Sequence, residues 1–305
     1  MSLLIDFIGF YGNQLVSEVR EAYDFRTGGP LILNLGVKDK HVLVTGASGG
    51  IGLEVTRQFL SEGAKVTACY NTQKHNLDAL KETYDKSLNS VKGNLESEAE
   101  TASLFAAAVS AFGRVDIAIA NAGISNFEKK AIQDMSLEQW DRTLRVNLRG
   151  SFLTAKYFFK NLEDHPGVDA CLILIGSTAG VFGEAWYSDY STSKAAMHGL
   201  MMSLKNEIVH LAERGRVNIV NPGWTLTPMA KEAVSDSTML SRILQTVPLR
   251  KIAQPSDIAN AILFLSSDTV SGHVSGQAIT VAGGMEGRVL FTPDEVAEHV
   301  QRYGS

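Results

Sequence analysis

The sequence predicts an α/β fold, a doubly wound parallel sheet covered by helices on both faces. Three observations predict it. Short β-branched runs alternate with amphipathic stretches of ten residues or more, the length a crossover between parallel strands requires. The runs are apolar throughout, as in HVLVT (41–45) and CLILI (171–175), which fits strands buried on both sides. Glycine, asparagine, serine or proline clusters then stand just past the strands, at Gly46, Asn94, Asn121, Ser177 and Pro222. In such a sheet ligands bind at the carboxyl ends of the strands.

The elements follow in order. His41–Thr45 is a strand, Gly46, Gly49, Gly50 and Gly52 make a turn, and Ile51, Val55, Phe59 and Leu60 fall at helical spacing. Glycines here permit positive φ and let a ligand approach with no Cβ in the way. The helix start offers unpaired N–H groups suited to a pyrophosphate, and no Lys-Ser/Thr follows as a P-loop would require. Lys65–Tyr70 reads as the second strand, Leu77–Tyr84 as part of a helix, and Leu88–Lys92 as the third strand, ending at Gly93-Asn94-Leu95. Ser97-Glu-Ala-Glu100 is a capping box that opens a helix to about Phe112. Val115–Ala120 is a strand, and Ser136-Leu-Glu-Gln139 is a second capping box that starts a long helix through Asn147 to about Phe159. An interior Asn points to a kink and a bound water. Ala170–Ile175 and Val217–Val220 are strands flanking a helix from Ser188 to about Leu211. Thr292 followed by Pro293 marks the start of a last helix to about Arg302.

A chain of 305 residues accommodates one large domain with extensions: a helical segment over 1–36, the sheet domain over 37–285 and a helical tail over 286–305. A net charge of −5 gives no reason to expect nucleic acid or an anionic membrane as partner. The two cysteines lie in strand-like runs and read as reduced, buried thiols of a cytoplasmic protein. The seven histidines show no ligand spacing, so no metal is expected. The apolar run Met1–Tyr11 is too short to span a bilayer, and Leu4, Phe7, Ile8, Tyr11, Leu15, Val16 and Val19 fall on one face of an amphipathic helix over Leu3–Tyr23. It is expected to pack on the domain or on a neighbouring subunit. A turn over Arg26–Pro30 and an extra strand or covering segment over Leu31–Leu35 follow it.

Tyr190-Ser-Thr-Ser-Lys194 sits near a predicted helix start, so the phenol and ammonium address one bound molecule from the same face. Lowering a tyrosine from its ordinary pKa of about 10 to about 7 takes roughly 4 kcal/mol. A cation about 4 Å away at an effective dielectric of about 20 supplies roughly that. The pair therefore reads as a tuned proton donor and acceptor. Ser177, after the neighbouring strand, is placed to hydrogen-bond a substrate oxygen.

Together, TGASGGIG (45–52), NAG (121–123), Asn147, Ser177, YSTSK (190–194) and PGWTLT (222–227) make the chain resemble the short-chain dehydrogenase/reductase family from about Lys38 to Met285. Its pattern is nearest to the 3-oxoacyl-(acyl-carrier-protein) reductase and carbonyl reductase branch. The resemblance implies a Rossmann-type sheet of seven strands and hydride transfer between a nicotinamide and a carbonyl or secondary alcohol. By the same resemblance, Tyr190 is the general acid or base, Lys194 lowers its pKa and holds the nicotinamide ribose, and Ser177 polarises the substrate oxygen. Asn147 keeps a water in a proton relay from Lys194. Gly46, Ser48, Gly49, Gly50 and Ile51 surround the pyrophosphate and adenosine ribose. Asn121, Ala122 and Gly123 line the cofactor, and Pro222, Gly223, Thr225 and Thr227 lie against its carboxamide and phosphates.

Two positions depart from the commonest family pattern. Members that use NAD usually carry Asp at the end of the second strand to bind the ribose 2′-OH; here Tyr70 is followed by Asn71 and Thr72. Without the carboxylate a 2′-phosphate is not repelled, and Asn71, Thr72 and Lys74 are candidate donors to it, so NADP(H) is favoured over NAD(H). Position 49, where NADP-dependent relatives often carry Arg or Lys, is Gly. Asn94, with Leu95 beside it, replaces a frequent Asp that accepts a hydrogen bond from adenine.

Val181, Phe182, Trp186, Trp224, Met229, Met239 and Leu240 form a candidate substrate wall that favours an apolar ketone, and Glu184 is read as contacting a polar substrate or capping its loop. The leading expectation is a carbonyl reductase or alcohol dehydrogenase that assembles as a homotetramer or homodimer. One alternative is a 3-oxoacyl thioester reductase, which needs a basic surface near the cleft; Arg145 and Arg149 are its candidates. The other is a non-catalytic dinucleotide-binding sensor or scaffold.

Overall fold

In chain order the structure, a computed structural model, contains β1 (His41–Thr45), α1 (Gly50–Ser61), β2 (Lys65–Tyr70), α2 (His75–Tyr84), β3 (Leu88–Lys92), α3 (Glu98–Phe112) and β4 (Ile117–Ala120). There follow α4 (Leu137–Leu144), a π-helical turn (Arg145–Arg149), α5 (Gly150–Asp164), β5 (Asp169–Ile175), α6 (Thr178–Phe182), α7 (Ser188–Glu207) and β6 (Arg214–Pro222). The last elements are α8 (Lys231–Ser235), α9 (Ser237–Gln245), α10 (Pro255–Ser266), α11 (Asp268–Ser271), β7 (Ala278–Val281) and α12 (Pro293–Gln301). The described residues are 34–125 and 129–303. The helix expected over Leu3–Tyr23, the Arg26–Pro30 turn and most of the Leu31–Leu35 segment lie outside them.

The seven strands form one parallel sheet in the order β3, β2, β1, β4, β5, β6, β7. The chain steps outward from β1 to β3 and then crosses back to β4, so the strand order reverses between β1 and β4. At such a switch point the loops diverge and leave a crevice above the strand ends. The apolar run of β1 explains itself here: Val42 and Val44 face one helical layer and Leu43 the other, all fully buried. Phe59 of α1 and Ile262 of α10 cover the first face. Leu104 of α3, Phe158 of α5 and Met197 of α7 cover the second.

Three helix expectations are modified. The long helix through Asn147 is broken into α4, the π turn and α5, with Asn147 inside the turn. The capping box at Ser97 is half made: Ser97 Oγ accepts from Glu100 N, but Glu100 Oε2 accepts from Asn94 N. At Ser136 the hydroxyl accepts from Gln139 N, while the Gln139 side chain donates to Asp189 Oδ2 at 3.3 Å. In both, a partner beyond the local turn takes the returning bond. Thr292 and Glu295 do close a full box before α12.

The segment after the sheet packs on the α9 region. Val296 of α12 is fully buried among Leu240, Ile243, Leu244 and Val247. Leu290 N and Phe291 N both donate to Gln245 O at 2.7 and 3.2 Å, and Tyr303 Oη accepts from Ile252 N at 2.9 Å. The Arg250 guanidinium lies 4.9 Å from the Phe291 ring centroid. Both cysteines are buried, and burial pushes the Cys69 thiol up to about 12 and that of Cys171 up to about 11. Among the described residues no helix is long and apolar enough to cross a membrane, and no cluster of His, Cys, Asp and Glu is grouped to hold a metal ion.

Candidate active site

The floor of the crevice is stitched by Thr45, a residue the sequence pattern contained without marking its role. Its Oγ1 donates to Ile119 O at 3.2 Å and accepts from Asn121 N and Ala122 N at 3.0 and 3.1 Å. Asn121 Nδ2 donates in turn to Thr45 O and Gly46 O at 2.9 and 3.2 Å, so the ends of β1 and β4 are fixed to each other. Gly46 has φ of +63°, and a Cβ there would stand 2.9 Å from Ala122 Cα. At Gly52 a Cβ would lie 2.2 Å from Gly46 O, which is why α1 can start so close to the turn.

The turn itself is built to receive an anion. Gly49, the N-cap of α1, supplies no side-chain cap, no acidic residue occupies the first turn, and a Cβ at Gly49 would meet nothing within 4 Å. The first amides of α1 are thus left for an external acceptor. Asn76 Nδ2 donates to Ser48 O at 2.9 Å and steadies the turn. Sequence reading missed Asn76, since it lies 28 positions from Ser48 and only the β2–α2 connection brings it back.

The cleft above this floor has a volume of about 780 Å³. Gly46, Ser48, Gly49, Gly50, Ile51 and Thr72 line it, as do Asn121, Ala122 and Gly123. Ser177, Tyr190, Lys194, Pro222, Gly223, Thr225 and Thr227 line it too. Five cofactor candidates from the sequence do not line it. Leu95 is 7% exposed and packs in the core. Asn94 Oδ1 accepts from Glu96 N at 3.0 Å, Tyr70 packs against the first core face, and Asn71 stands outside the cleft. Lys74 is ion-paired with Asp78 at 2.9 Å.

The chemical end gathers four side chains from three elements. Lys194 is 6% exposed, its Nζ donates to Ile175 O at 2.9 Å, and it lies 5.8 Å from the Tyr190 ring centroid. Ser177 caps α6 by accepting from Ala179 N at 3.1 Å and hydrogen-bonds the Tyr190 phenol. Asn147, fully buried, exchanges two bonds with Ile124, at 2.8 and 2.9 Å, and donates to Ser193 Oγ at 3.0 Å. Ser193 donates onward to Tyr190 O at 2.7 Å. A Cβ at Gly123 would stand 3.2 Å from Asn147 Oδ1 and 3.3 Å from Lys194 Nζ, so glycine leaves room for both side chains.

Burial dominates the titration of the pair. It pushes the Tyr190 phenol above its ordinary value, against the lowering by Ser177, and pushes Lys194 down to about 8. The lowering of Tyr190 by Lys194 expected from the sequence is therefore not seen. Desolvation favours the neutral form of both groups.

Of the substrate wall, Trp224, Met229 and Met239 line the cleft. Val181, Phe182 and Trp186 are exposed outside it, and Leu240 is buried in the core beneath α9. Arg145 is paired with Glu96 Oε2 at 3.4 Å, and Arg149 donates to Glu96 O, so neither stands at the cleft. The cations that do line it are Lys129, Lys194 and Arg242.

A family model described as enoyl-(acyl carrier protein) reductase matches residues 46–286, which takes in the glycine turn and all four clustered side chains. The chain belongs to the short-chain dehydrogenase/reductase family. It is 34% identical over 251 residues to a 3-oxoacyl-(acyl-carrier-protein) reductase of Staphylococcus aureus, covering 81% of this chain and 98% of that one. It is 31% identical over 255 residues to an acetoacetyl-CoA reductase of Acinetobacter sp., with 81% and 98% covered. A 3α-hydroxysteroid dehydrogenase of Mediterraneibacter gnavus is 31% identical over 251 residues, with 81% and 97% covered. The crystal structure of a short-chain dehydrogenase/reductase from Brucella melitensis, titled glucose/ribitol dehydrogenase, superimposes with a TM-score of 0.73. It shares 30% identity and covers 81% of this chain and 96% of that one. This short-chain dehydrogenase/reductase is accordingly an oxidoreductase that moves a hydride between a nicotinamide cofactor of the NAD(P)(H) class and a carbonyl or alcohol.

Proposed function

We propose that this enzyme reduces an apolar ketone, or oxidises the matching secondary alcohol, with Tyr190 as acid and base. The observation that carries the reading is the convergence of Ser177, Tyr190 and Lys194 on one cleft floored by an uncapped helix N-terminus. Gly46, Ser48, Gly49, Gly50 and Ile51 hold the pyrophosphate and adenosine side of the dinucleotide, and Thr72 its ribose. Asn121, Ala122, Gly123, Pro222, Gly223, Thr225 and Thr227 hold the remainder. When bound, the nicotinamide gives or takes the hydride. The chain's part is to supply the proton: the Tyr190 hydroxyl passes it to the carbonyl oxygen, Ser177 donates to that oxygen as its charge develops, and the Lys194 ammonium stabilises the phenolate left behind. Asn147 and Ser193 hold the backbone at Tyr190 in place. Trp224, Met229 and Met239 surround the substrate's apolar part.

NADP(H) is the favoured cofactor, since no carboxylate stands at the end of β2 and Thr72 lines the cleft. Thr72→Asp is expected to shift the NADPH-to-NADH ratio of kcat/KM toward NADH by about tenfold or more, because position 72 lines the cleft just past β2 and a carboxylate there repels a 2′-phosphate. Kinetics with both cofactors check it, and an unchanged ratio refutes the preference argued from this position. The buried, unpaired thiols support a reducing, cytoplasmic setting. The exposed Leu137 and Phe152 beside the π turn support assembly as a homodimer or homotetramer.

A 3-oxoacyl thioester is the second reading, favoured by the names of two relatives and by Lys129 and Arg242, two cations on the cleft suited to the phosphates of a carrier arm. One experiment tests both. Oxidation of NADPH and NADH is followed with alicyclic and aromatic ketones and with acetoacetyl-CoA. Turnover of the ketones supports the first reading, turnover of the thioester alone supports the second, and turnover of neither overturns both.

A further inference from the structure

Among the titratable groups that line the cleft, Tyr190 and Lys194 carry the chemistry and Asp236 caps α9, accepting from Thr238 N and Met239 N at 2.8 and 3.2 Å. Glu184 has no such employment. It follows Gly183, whose φ of +78° turns the chain out of α6, and its backbone N donates to Ser191 Oγ at 3.1 Å. The loop is thus anchored through the amide and a hydroxyl of α7, and the carboxylate is not what caps it. That carboxylate is half-buried, lines the same cleft as Ser177, Tyr190 and Met239, and accepts no hydrogen bond from any described residue. Burial pushes it above the usual carboxylate range, and Lys129 opposes this by charge alone, without an ion pair within 4 Å. A carboxylate taken partly out of water with none of its acceptor positions filled by protein is a costly thing to keep beside a reaction centre. Its cost is offset when a ligand donates to it.

We propose that Glu184 is a specificity-determining residue whose carboxylate accepts a hydrogen bond from a second hydroxyl group on the ketone or alcohol that reacts at Tyr190. This deepens the ketone reading above and rests on it. The donor is a hydroxyl rather than an ammonium, because Lys129 and Arg242 line the same cleft and repel a cationic substrate. A carboxylate-bearing substrate meets repulsion at Glu184 itself. The substrate class is then an apolar frame that carries the reacting carbonyl at one position and a neutral hydroxyl at another, with Trp224, Met229 and Met239 against the frame.

The test uses the full chain and decalones, bicyclic ketones with and without one ring hydroxyl, the hydroxyl moved through the ring positions. Wild-type enzyme is expected to favour the hydroxylated ketone at one position by about 10- to 100-fold in kcat/KM, the factor one hydrogen bond to a charged group supplies. In Glu184→Leu that ratio falls to near one, and Glu184→Gln, which keeps an acceptor oxygen, retains part of it. Thermal melts of the variants show whether they are folded. A wild-type ratio near one at every hydroxyl position overturns the proposal, as does a ratio that survives in Glu184→Leu. If no decalone is turned over with either cofactor, the ketone reading itself fails and the inference falls with it.

Discussion

Replacing Tyr190 with Phe is expected to lower kcat for ketone reduction by about a thousandfold, within the range lost when a positioned general acid is removed. The substitution deletes one oxygen and leaves the ring in its place. The cofactor contacts argued above come from the glycine turn, Thr72, the β4 end, Lys194 and the β6 end, all kept in the variant, so dinucleotide binding is expected to change less than about threefold, about 0.65 kcal/mol. Stopped-flow or steady-state rates give the first quantity, and quenching of protein fluorescence by titrated NADPH gives the second. Turnover within tenfold of wild type refutes Tyr190 as the acid. The pH dependence follows from the same pair. Burial raises the phenol, so alone it is a reluctant donor, and in the proposed mechanism the phenolate that forms is borne by the Lys194 ammonium, which lies 5.8 Å from the ring centroid. That ammonium loses its proton as pH rises through about 8. Reductive kcat/KM is therefore expected to be level below that pH and to fall above it. A profile still level two units higher excludes Lys194 as the group that assists the phenol.

Asn147→Ala is expected to destabilise the folded state by about 3–5 kcal/mol and to lower kcat as well. The fully buried native side chain makes three hydrogen bonds, two to the backbone of Ile124 and one to Ser193 Oγ. Alanine leaves the half-buried N–H and C=O of Ile124 without their partner and opens a small cavity at the buried Asn147 site. In a domain of this size each kcal/mol shifts Tm by about 2–4 °C, so the melting temperature is expected to fall by about 10 °C. Differential scanning calorimetry measures this. The loss of kcat has a separate origin: Ser193, released from Asn147, no longer holds Tyr190 O in a fixed chain of bonds. Asn147→Asp keeps the acceptor for Ile124 N but loses the donor to Ile124 O, and is expected to fall between wild type and alanine. A melting temperature within 2 °C of wild type in Asn147→Ala refutes the account.

The interior Asn at 147 shows how far the sequence carried. Its poor fit to a helix interior predicted a local irregularity, and the chain makes a π turn there, with a tertiary partner on the β4 connection. Similarly, the capping boxes at Ser97 and Ser136 had the right hydroxyls in the right register, and their returning partners went to Asn94 N and Asp189 instead. Both cases have one cause. A local pattern states which groups need a bond, and the fold offers better-placed partners than the local turn does. The substrate wall divides for the same reason. Met239 and Leu240 are adjacent on α9, and one helical step of about 100° sends the first to the cleft and the second to the core. The loop carrying Trp186, with φ of +68° there, turns its indole out to solvent.

By itself the sequence determined the order of elements, the parallel sheet and the spacing of Tyr190 and Lys194, because each depends on periodicity and on backbone demands expressed within a few residues. Only the tertiary structure decided which side chains share the cleft, that Thr45 and Asn76 support its floor, that Arg145 and Arg149 turn away to Glu96, and that the Glu184 carboxylate lines the same cleft as Ser177 and Tyr190. Those relations join residues far apart in the chain, and burial sets their energies. Neither the proximity nor the loss of water is written in any short stretch of residues.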